Sequence, residues 1–326
     1  MRVLVTGATG FLGSHLCPKL INEGYNVTIL RRSSSDTTYL KGLNLNHMVG
    51  DITDSVAVDR AVREQDMVIH AAAQIGQHSN RELQTRVNVN GTQNVVAACI
   101  KYRIKRLLHV SSIATIGVSV YPDHPADETF PFDFKRLDTS YHTSKRRAEE
   151  EVMKGVSNGL DAVIVNPGWI FGPFGNSFQG SEFVEKVRRS RIIPCFRGGI
   201  CAVHVSDVID GILSALKQGR NGERYILGGE NISFHRIAEL SAECLGLKRI
   251  FIPVPSFVTG MMAKIFEMIN KFTGKRPYLT FDEHRYVNRY HYYDSSKAMR
   301  ELQYKYLSFK KIVEEYIEYK RIKNTP

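Results

Sequence analysis

No two cysteines in this chain stand at a CxxC spacing, and none has a histidine placed to complete a zinc site. The five that occur, Cys17, Cys99, Cys195, Cys201 and Cys244, are scattered. That distribution predicts reduced buried thiols, no bound metal and a cytoplasmic setting. Met1 and Arg2 lead directly into strand residues, without the apolar core of a secretory leader. Internal repeats and low-complexity segments are missing as well. Acidic residues are outnumbered, 33 against 44 Lys and Arg, for a net charge of +11. The cations are spread along the chain rather than gathered into an aromatic-interleaved motif. The excess therefore predicts a solvated surface and an anionic small-molecule ligand, not a nucleic acid.

What is present is a strong alternation of segments. The 326 residues, 43% of them hydrophobic, suffice for a large α/β domain with a smaller appendage. Apolar strand-like runs recur at 3–5, 27–30, 67–70, 107–110 and 162–165, and segments of helical spacing lie between them, notably 82–100 and 144–152. This predicts a doubly wound parallel sheet covered by helices on both faces over residues 1–166. After Pro167 a stretch rich in Gly, Phe, Asn and Ser breaks the regularity. Residues 167–326 are read as a mixed region: a smaller substrate-binding lobe, with some segments returning to the first domain. Pro18 falls inside the first helix and is expected to weaken or kink it. The tail SFKKIVEEYIEYKRIK has the pattern of an amphipathic helix.

Three stretches carry chemistry. VTGATGFLGSHL, starting at Val5, joins the first strand to the first helix. Gly7, Gly10 and Gly13 permit a tight turn and close approach of a ligand, and a helix N-terminus attracts an anion, so the junction suits a phosphate. A ligand-free tight turn would use the same residues. The second strand ends in Arg31 and Arg32, where dinucleotide folds read the adenosine ribose. A guanidinium fork suits a phosphate better than a pair of hydroxyls, which predicts NADP as the preferred cofactor with NAD possible. Two exposed arginines opening a loop are the other reading. YHTSK sets Tyr141 and Lys145 on one helix face, and HVSSIATIG brings Ser112 to the end of a strand. A phenol of reference pKa about 10 needs a neighbouring cation to give up its proton near neutrality, and Lys145 has the spacing to be that cation.

In order and distance these features resemble the extended short-chain dehydrogenase/reductases, the NAD-dependent epimerase/dehydratase family, over nearly the whole chain. The resemblance implies a Rossmann-type fold. It further implies that Gly7, Gly10 and Gly13 with Phe11 and Leu12 hold the cofactor pyrophosphate, and that Asp51 and Ile52 border the adenine. Ala71, Ala72 and Ala73 would line the central cleft, while Pro167, Gly168 and Ile170 flank the nicotinamide. By the same resemblance Tyr141 is the general acid or base, Lys145 binds the nicotinamide ribose and lowers the Tyr141 pKa, and Ser112 orients the substrate oxygen. Asn88 and Asn90 match polar positions in the helix behind the site. Family members often pair through the helices after strands four and five, which implies a homodimer.

Departures from the family narrow the reaction. Dehydratases carry an Asp-Glu pair where this chain has Ile113, Ala114, Thr115 and Ile116. Sugar-nucleotide epimerases usually carry Asn and Arg at the places held here by Trp169 and Ile200. A nucleotide diphosphate would then lose charge-assisted partners worth about 1.5–3 kcal/mol each. VHVSDVIDGILSAL, GERYILGGENIS and YYDSSKAMREL resemble more closely the dihydroflavonol-4-reductase-like, 3β-hydroxysteroid dehydrogenase-like and hopanoid-associated sugar epimerase groups. The implied function is an NADP-dependent oxidoreductase that reduces a ketone, or oxidises a secondary alcohol, of a small apolar non-nucleotide substrate. A sugar epimerase using tightly held NAD(P) and a non-catalytic NADP-binding sensor are the alternatives. Finally, Phe257, Val258, Met261, Met262, Ile265, Phe266, Ile269 and Phe272 form a wide apolar stripe, with Lys264, Glu267, Asn270 and Lys271 assigned to the other side. Its charges exclude a membrane span. Such a helix covers an apolar pocket, packs on the core or lies on a membrane surface, the last not being the favoured reading.

Overall fold

The computed structural model describes residues 1–75, 80–119, 121–132, 139–174, 177–273, 284 and 288–323, with the side chains of 271–273 outside the description. The expected places of Phe272 in the apolar stripe and of Lys271 on its opposite side therefore fall on side chains outside the described residues.

The first half runs β1 (Arg2–Thr6), α1 (Phe11–Asn22), β2 (Asn26–Arg31), β3 (Asn46–Val49), α2 (Ser55–Val62), β4 (Met67–His70), α3 (Arg81–Gln84), α4 (Gly91–Lys101), β5 (Arg106–Val110), α5 (Ser140–Ser157) and β6 (Ala162–Pro167). The second half runs β7 (Trp169–Phe174), β8 (Ser177–Gln179), α6 (Glu182–Arg189), β9 (Ile192–Phe196), β10 (Gly199–His204), α7 (Val205–Gln218), β11 (Arg224–Leu227), β12 (Glu230–Ser233) and α8 (Phe234–Cys244). It closes with β13 (Ile250–Val254), α9 (Ser256–Thr273), β14 (Tyr290–His291), α10 (Ser296–Leu302) and α11 (Phe309–Lys323).

Seven strands form one sheet in the order β11-β6-β5-β4-β1-β2-β3, and every pairing in it is parallel. Strands such as β1 and β6 are apolar on both faces because helices cover both. Val3 and Val5 pack with α1 and α7, whereas Leu4 packs with α2 and α4. The five apolar runs of the sequence are all in this sheet, and two further strands join them. The third, NHMV, is a largely exposed edge that carries no apolar run to reveal it. The seventh, β11, comes from beyond residue 166, and α7 before it packs against α1 and β5. Residues 205–227 thus belong spatially with the first half of the chain.

A second sheet, β12-β10-β7-β8 with β14 paired to β10, and the parallel ribbon β13-β9 make up the rest. In α11, Phe309, Ile312, Val313 and Tyr316 are buried against β7 and α8, as the amphipathic pattern of the tail predicts. α1 runs on through Pro18. Among the described residues no helix is long and apolar enough to cross a membrane.

Candidate active site

The sheet order reverses between β1 and β4: the two strands stay paired to their last residues, Thr6 and His70, and the chain leaving them runs to helices on opposite faces, which leaves a crevice beyond their ends. Backbone sterics at its floor explain two of the three glycines. Gly7 has φ +76°, and a Cβ there would lie 2.6 Å from the Ala72 nitrogen and 2.8 Å from the Ala71 oxygen. A Cβ on Gly13 would lie 2.3 Å from the Gly7 oxygen, so only glycine lets α1 pack so close to the turn. Gly10 is different: its Cβ would meet the Gly7 oxygen at an ordinary 3.4 Å, and the protein itself places no demand on it. As the N-cap of α1, Gly10 also offers no side-chain hydrogen bond. By helix geometry the first N–H groups of α1 have no intrahelical partner, and the residues that carry them, Phe11, Leu12 and Gly13, line the crevice.

The crevice has a volume of about 440 Å³, and all the residues assigned above to catalysis or cofactor contact, from Gly7 to Ile170, lie on its wall. At one end the Arg31 Nε donates to His47 Nδ1 at 3.2 Å and its Nη1 to the Arg32 carbonyl at 3.3 Å. Among the described residues no carboxylate pairs with either arginine. Asp51 is occupied locally, accepting from Thr53 N and Thr53 Oγ1, both at 2.9 Å.

At the other end Ser112 caps a single 3-10 turn, its Oγ accepting from Ala114 N at 3.2 Å. Tyr141 lies in the first turn of α5, which is capped by Thr139. Burial pushes the Tyr141 phenol above its ordinary pKa, and a hydrogen bond with Ser112 opposes that rise. Lys145, one turn further along α5, is 2% exposed and donates from Nζ to the Val110 carbonyl at 3.0 Å. Burial pulls its pKa down to about 8 against the opposing charge of Glu149. The expected depression of Tyr141 by Lys145 is not what this geometry provides. Helical spacing puts both residues on one face, but the ammonium is drawn to the end of β5, and burial and Ser112 set the acidity of the phenol.

The support for Ser112 was not legible in the sequence. Asn166 Nδ2 donates to the Ser112 carbonyl at 3.0 Å, to Thr115 Oγ1 at 2.9 Å and to Glu149 Oε1 at 2.7 Å. Asn166 is the penultimate residue of β6 and Glu149 lies on α5, so no short-range pattern links them. Asn88, singled out as a polar helix position, sits in a widened π-type turn between α3 and α4. It accepts from Gln74 N at 2.7 Å and donates to Ser144 Oγ at 3.0 Å, tying the crevice wall to α5. Asn90 is exposed and takes no part. Ser111 and Ser35 also line the crevice; the signals for them were a serine doublet and a serine run after Arg32.

Neither Trp169 nor Ile200 faces this crevice. Ile200 is fully buried in a core with Phe171, Phe178 and Ile232, and Trp169 packs beside Phe183. Their apolarity is a consequence of packing, so it cannot by itself exclude a nucleotide diphosphate, as the sequence reading held.

Three observations fit the crevice to a dinucleotide. The turn admits no Cβ at Gly7 or Gly13, and the first residues of α1, whose N–H groups have no side-chain cap, line the crevice. Ser111 Oγ is buried at the crevice wall without a hydrogen-bond partner. The arginine pair at the far end has no anion of its own. A fully parallel seven-stranded sheet with a glycine turn at its point of reversal defines a Rossmann-like protein. Within that class the chain belongs to the NAD dependent epimerase/dehydratase family, which its residues 3–228 match. That family comprises NAD(P)-dependent epimerases, dehydratases and reductases.

A Synechocystis protein named for dihydroflavonol 4-reductase is 33% identical over 304 residues, covering 91% of this chain and 88% of that one. Sterol demethylase protein B of Methylococcus capsulatus is 29% identical over 307 residues, 93% of each chain. The crystal structure of gox2253 superposes with a TM-score of 0.86 at 29% identity, over 99% of this chain and 98% of that one.

Proposed function

We propose that this chain is an NADP-dependent oxidoreductase that interconverts a ketone and a secondary alcohol on a small, apolar, nucleotide-free substrate. The observation that carries the reading is the meeting of Ser112, Tyr141 and Lys145 at one end of the crevice, with unpaired Arg31 and Arg32 at the other. The glycine turn and the N-terminus of α1 would hold the pyrophosphate, and Arg31, Arg32 and Ser35 a 2′-phosphate. Lys145 would hold the nicotinamide ribose, with Pro167, Gly168 and Ile170 beside the ring. When bound, the nicotinamide supplies or accepts the hydride. Ser112 orients the substrate oxygen by a hydrogen bond, and Tyr141 delivers the proton to it. A phenol whose pKa is raised by burial keeps its proton at neutral pH, which suits a donor in the reducing direction.

The turn after Ser112 holds buried Ile113 and Ala114 and no carboxylate, so elimination of water lacks its acid and base there. The likeness to proteins named for a dihydroflavonol and a sterol supports the apolar substrate. The test is NADPH absorbance with a panel of apolar ketones. Net consumption is expected. Inversion of a sugar carbon without net consumption would make the chain an epimerase, and tight binding with neither would make it a sensor. Titration calorimetry should show NADPH bound more tightly than NADH, with Arg31→Asp weakening NADPH more than NADH.

A further inference from the structure

Helix α9 carries its apolar side away from the protein. Phe257 is 73% exposed and Met268 55%, and Met261, Met262 and Ile265 are exposed with them. The side turned inward consists of Thr259, Gly260 and Ala263, all buried. Thr259 Oγ1 donates to the Ser256 carbonyl at 2.9 Å and lies 2.8 Å from His284 Nδ1, and a Cβ on Gly260 would meet the His284 ring at 3.1 Å. Small and polar residues therefore hold this helix in place, with Val258 and Phe266 half-buried at its margins, while Phe257, Met261, Met262, Ile265, Met268 and Ile269 face out. A helix that only packs on its own domain shows the reverse. Lys264, assigned from the sequence to the opposite side, is exposed on this same outer face, whereas Glu267 and Asn270 are half-buried.

Two neighbours extend the surface. The β9-β13 ribbon leads into α9 through Pro255 alone. It buries Ile193 and Cys195 on one face, with Phe251 half-buried beside them, and exposes Ile192, Ile250 and Ile252. Cations flank its strands in the chain: residues 186–197 include Lys186, Arg188, Arg189, Arg191 and Arg197 with no acidic residue, and Lys248 and Arg249 directly precede β13. Arg249 ties the two basic segments together, donating to the carbonyls of Val187 and Arg188 at 2.7 and 3.0 Å. Glu185 offsets part of this charge by pairing with Arg188 and Arg189.

We infer that α9 and the β9-β13 ribbon dock on a lipid bilayer that carries anionic head groups. Phe257 and the methionines would enter the boundary between head groups and acyl chains, and the surrounding cations would meet the phosphates. Charge decides between this occupant and a second copy of the chain, since two molecules of net charge +11 would bring like-charged rims together. Attachment is peripheral, because no helix among the described residues can span. The inference does not depend on the reaction proposed above.

The test is co-sedimentation of the full chain with phosphatidylcholine vesicles, with and without phosphatidylglycerol. Binding is expected on the mixed vesicles at low salt, weakened roughly tenfold or more by high salt or by omitting the anionic lipid. Phe257→Ser combined with Ile265→Ser and Met268→Ser should abolish it while leaving the thermal midpoint unchanged, because all three side chains are already exposed. Met261→Trp should give blue-shifted emission on vesicle addition. No sedimentation at low salt, undiminished binding of the triple variant, or an unshifted emission spectrum of the Met261→Trp variant would each overturn the inference. So would a change of oligomeric state in the triple variant on size exclusion, which would assign the face to a second copy.

Discussion

Lys145 is the most consequential single side chain, because the fold holds it at a cost. Its pKa in the folded chain, about 8, lies below the ordinary lysine value of 10.5. The unfolded chain therefore binds a proton more readily than the folded one between those values, and stability rises with pH across that window. Below about pH 8 the full penalty of about 3 kcal/mol applies. Lys145→Met is expected to raise the thermal midpoint of the ligand-free protein at neutral pH, by less than that penalty because Glu149 loses a partner. The gain should vanish as pH approaches the unfolded value, and activity should be lost at every pH. A calorimetric pH series checks the first, and NADPH consumption across the same range checks the second. Tyr141→Phe removes the proton and keeps the packing, so turnover should fall by roughly 10²-fold or more with NADPH affinity nearly unchanged. Steady-state rates on a verified ketone, with NADPH titration alongside, would show whether Tyr141 is the acid.

Among the elements, the turn between β1 and α1 and the loop after β5 have the least freedom. Gly7→Ala would force a side chain into left-handed backbone at φ +76° and against the backbone of Ala71 and Ala72. The expected loss is about 1–3 kcal/mol for the conformation alone, with NADPH binding lost as the turn shifts. Urea unfolding and fluorescence titration of NADPH measure the two effects separately. The loop bearing Ser112 is held from beneath by Asn166. Asn166→Ala leaves the Ser112 carbonyl and Glu149 without that donor, an expected cost of about 1–3 kcal/mol. As a positioning residue it should lower kcat more than it raises the KM for NADPH, whereas a purely structural role would change only the unfolding midpoint.

Across the whole molecule, three buried histidines make the fold sensitive to acid. His70 lies between Thr6 and Thr92 with its pKa pulled down to about 3 by burial, and burial takes His142 to about 4. His109, whose ring nitrogens have no partner, is lowered well below the ordinary value for the same reason. In the unfolded chain each binds a proton near pH 6.5, and in the fold only far below it. Stability is therefore intact above that pH and falls as pH drops, by about 2 kcal/mol for each histidine by about pH 5. Urea midpoints measured across this range should show the decline. His109→Leu should flatten it and add about 1–2 kcal/mol near neutrality, because a buried unpaired polar ring is replaced by an apolar group.

The sheet and the crevice were readable from the chain because the signals are local. Apolar runs mark strands buried on both faces, glycines mark the turn at the point of reversal, and a four-residue spacing puts Tyr141 and Lys145 on one side of α5. Periodicity is blind to what lies across from a residue. It showed a stripe on α9 without telling which side the protein covers, and the family resemblance read Ile200 as part of a site when that side chain fills a core. It placed Lys145 near Tyr141 without showing that Val110 holds the ammonium, and it had no means of joining Asn166 to Glu149 and Ser112. Burial and hydrogen-bond partnership depend on groups far apart in sequence, so tertiary packing alone decides which face of a helix is wet, which cation is engaged and what steadies the reactive loop.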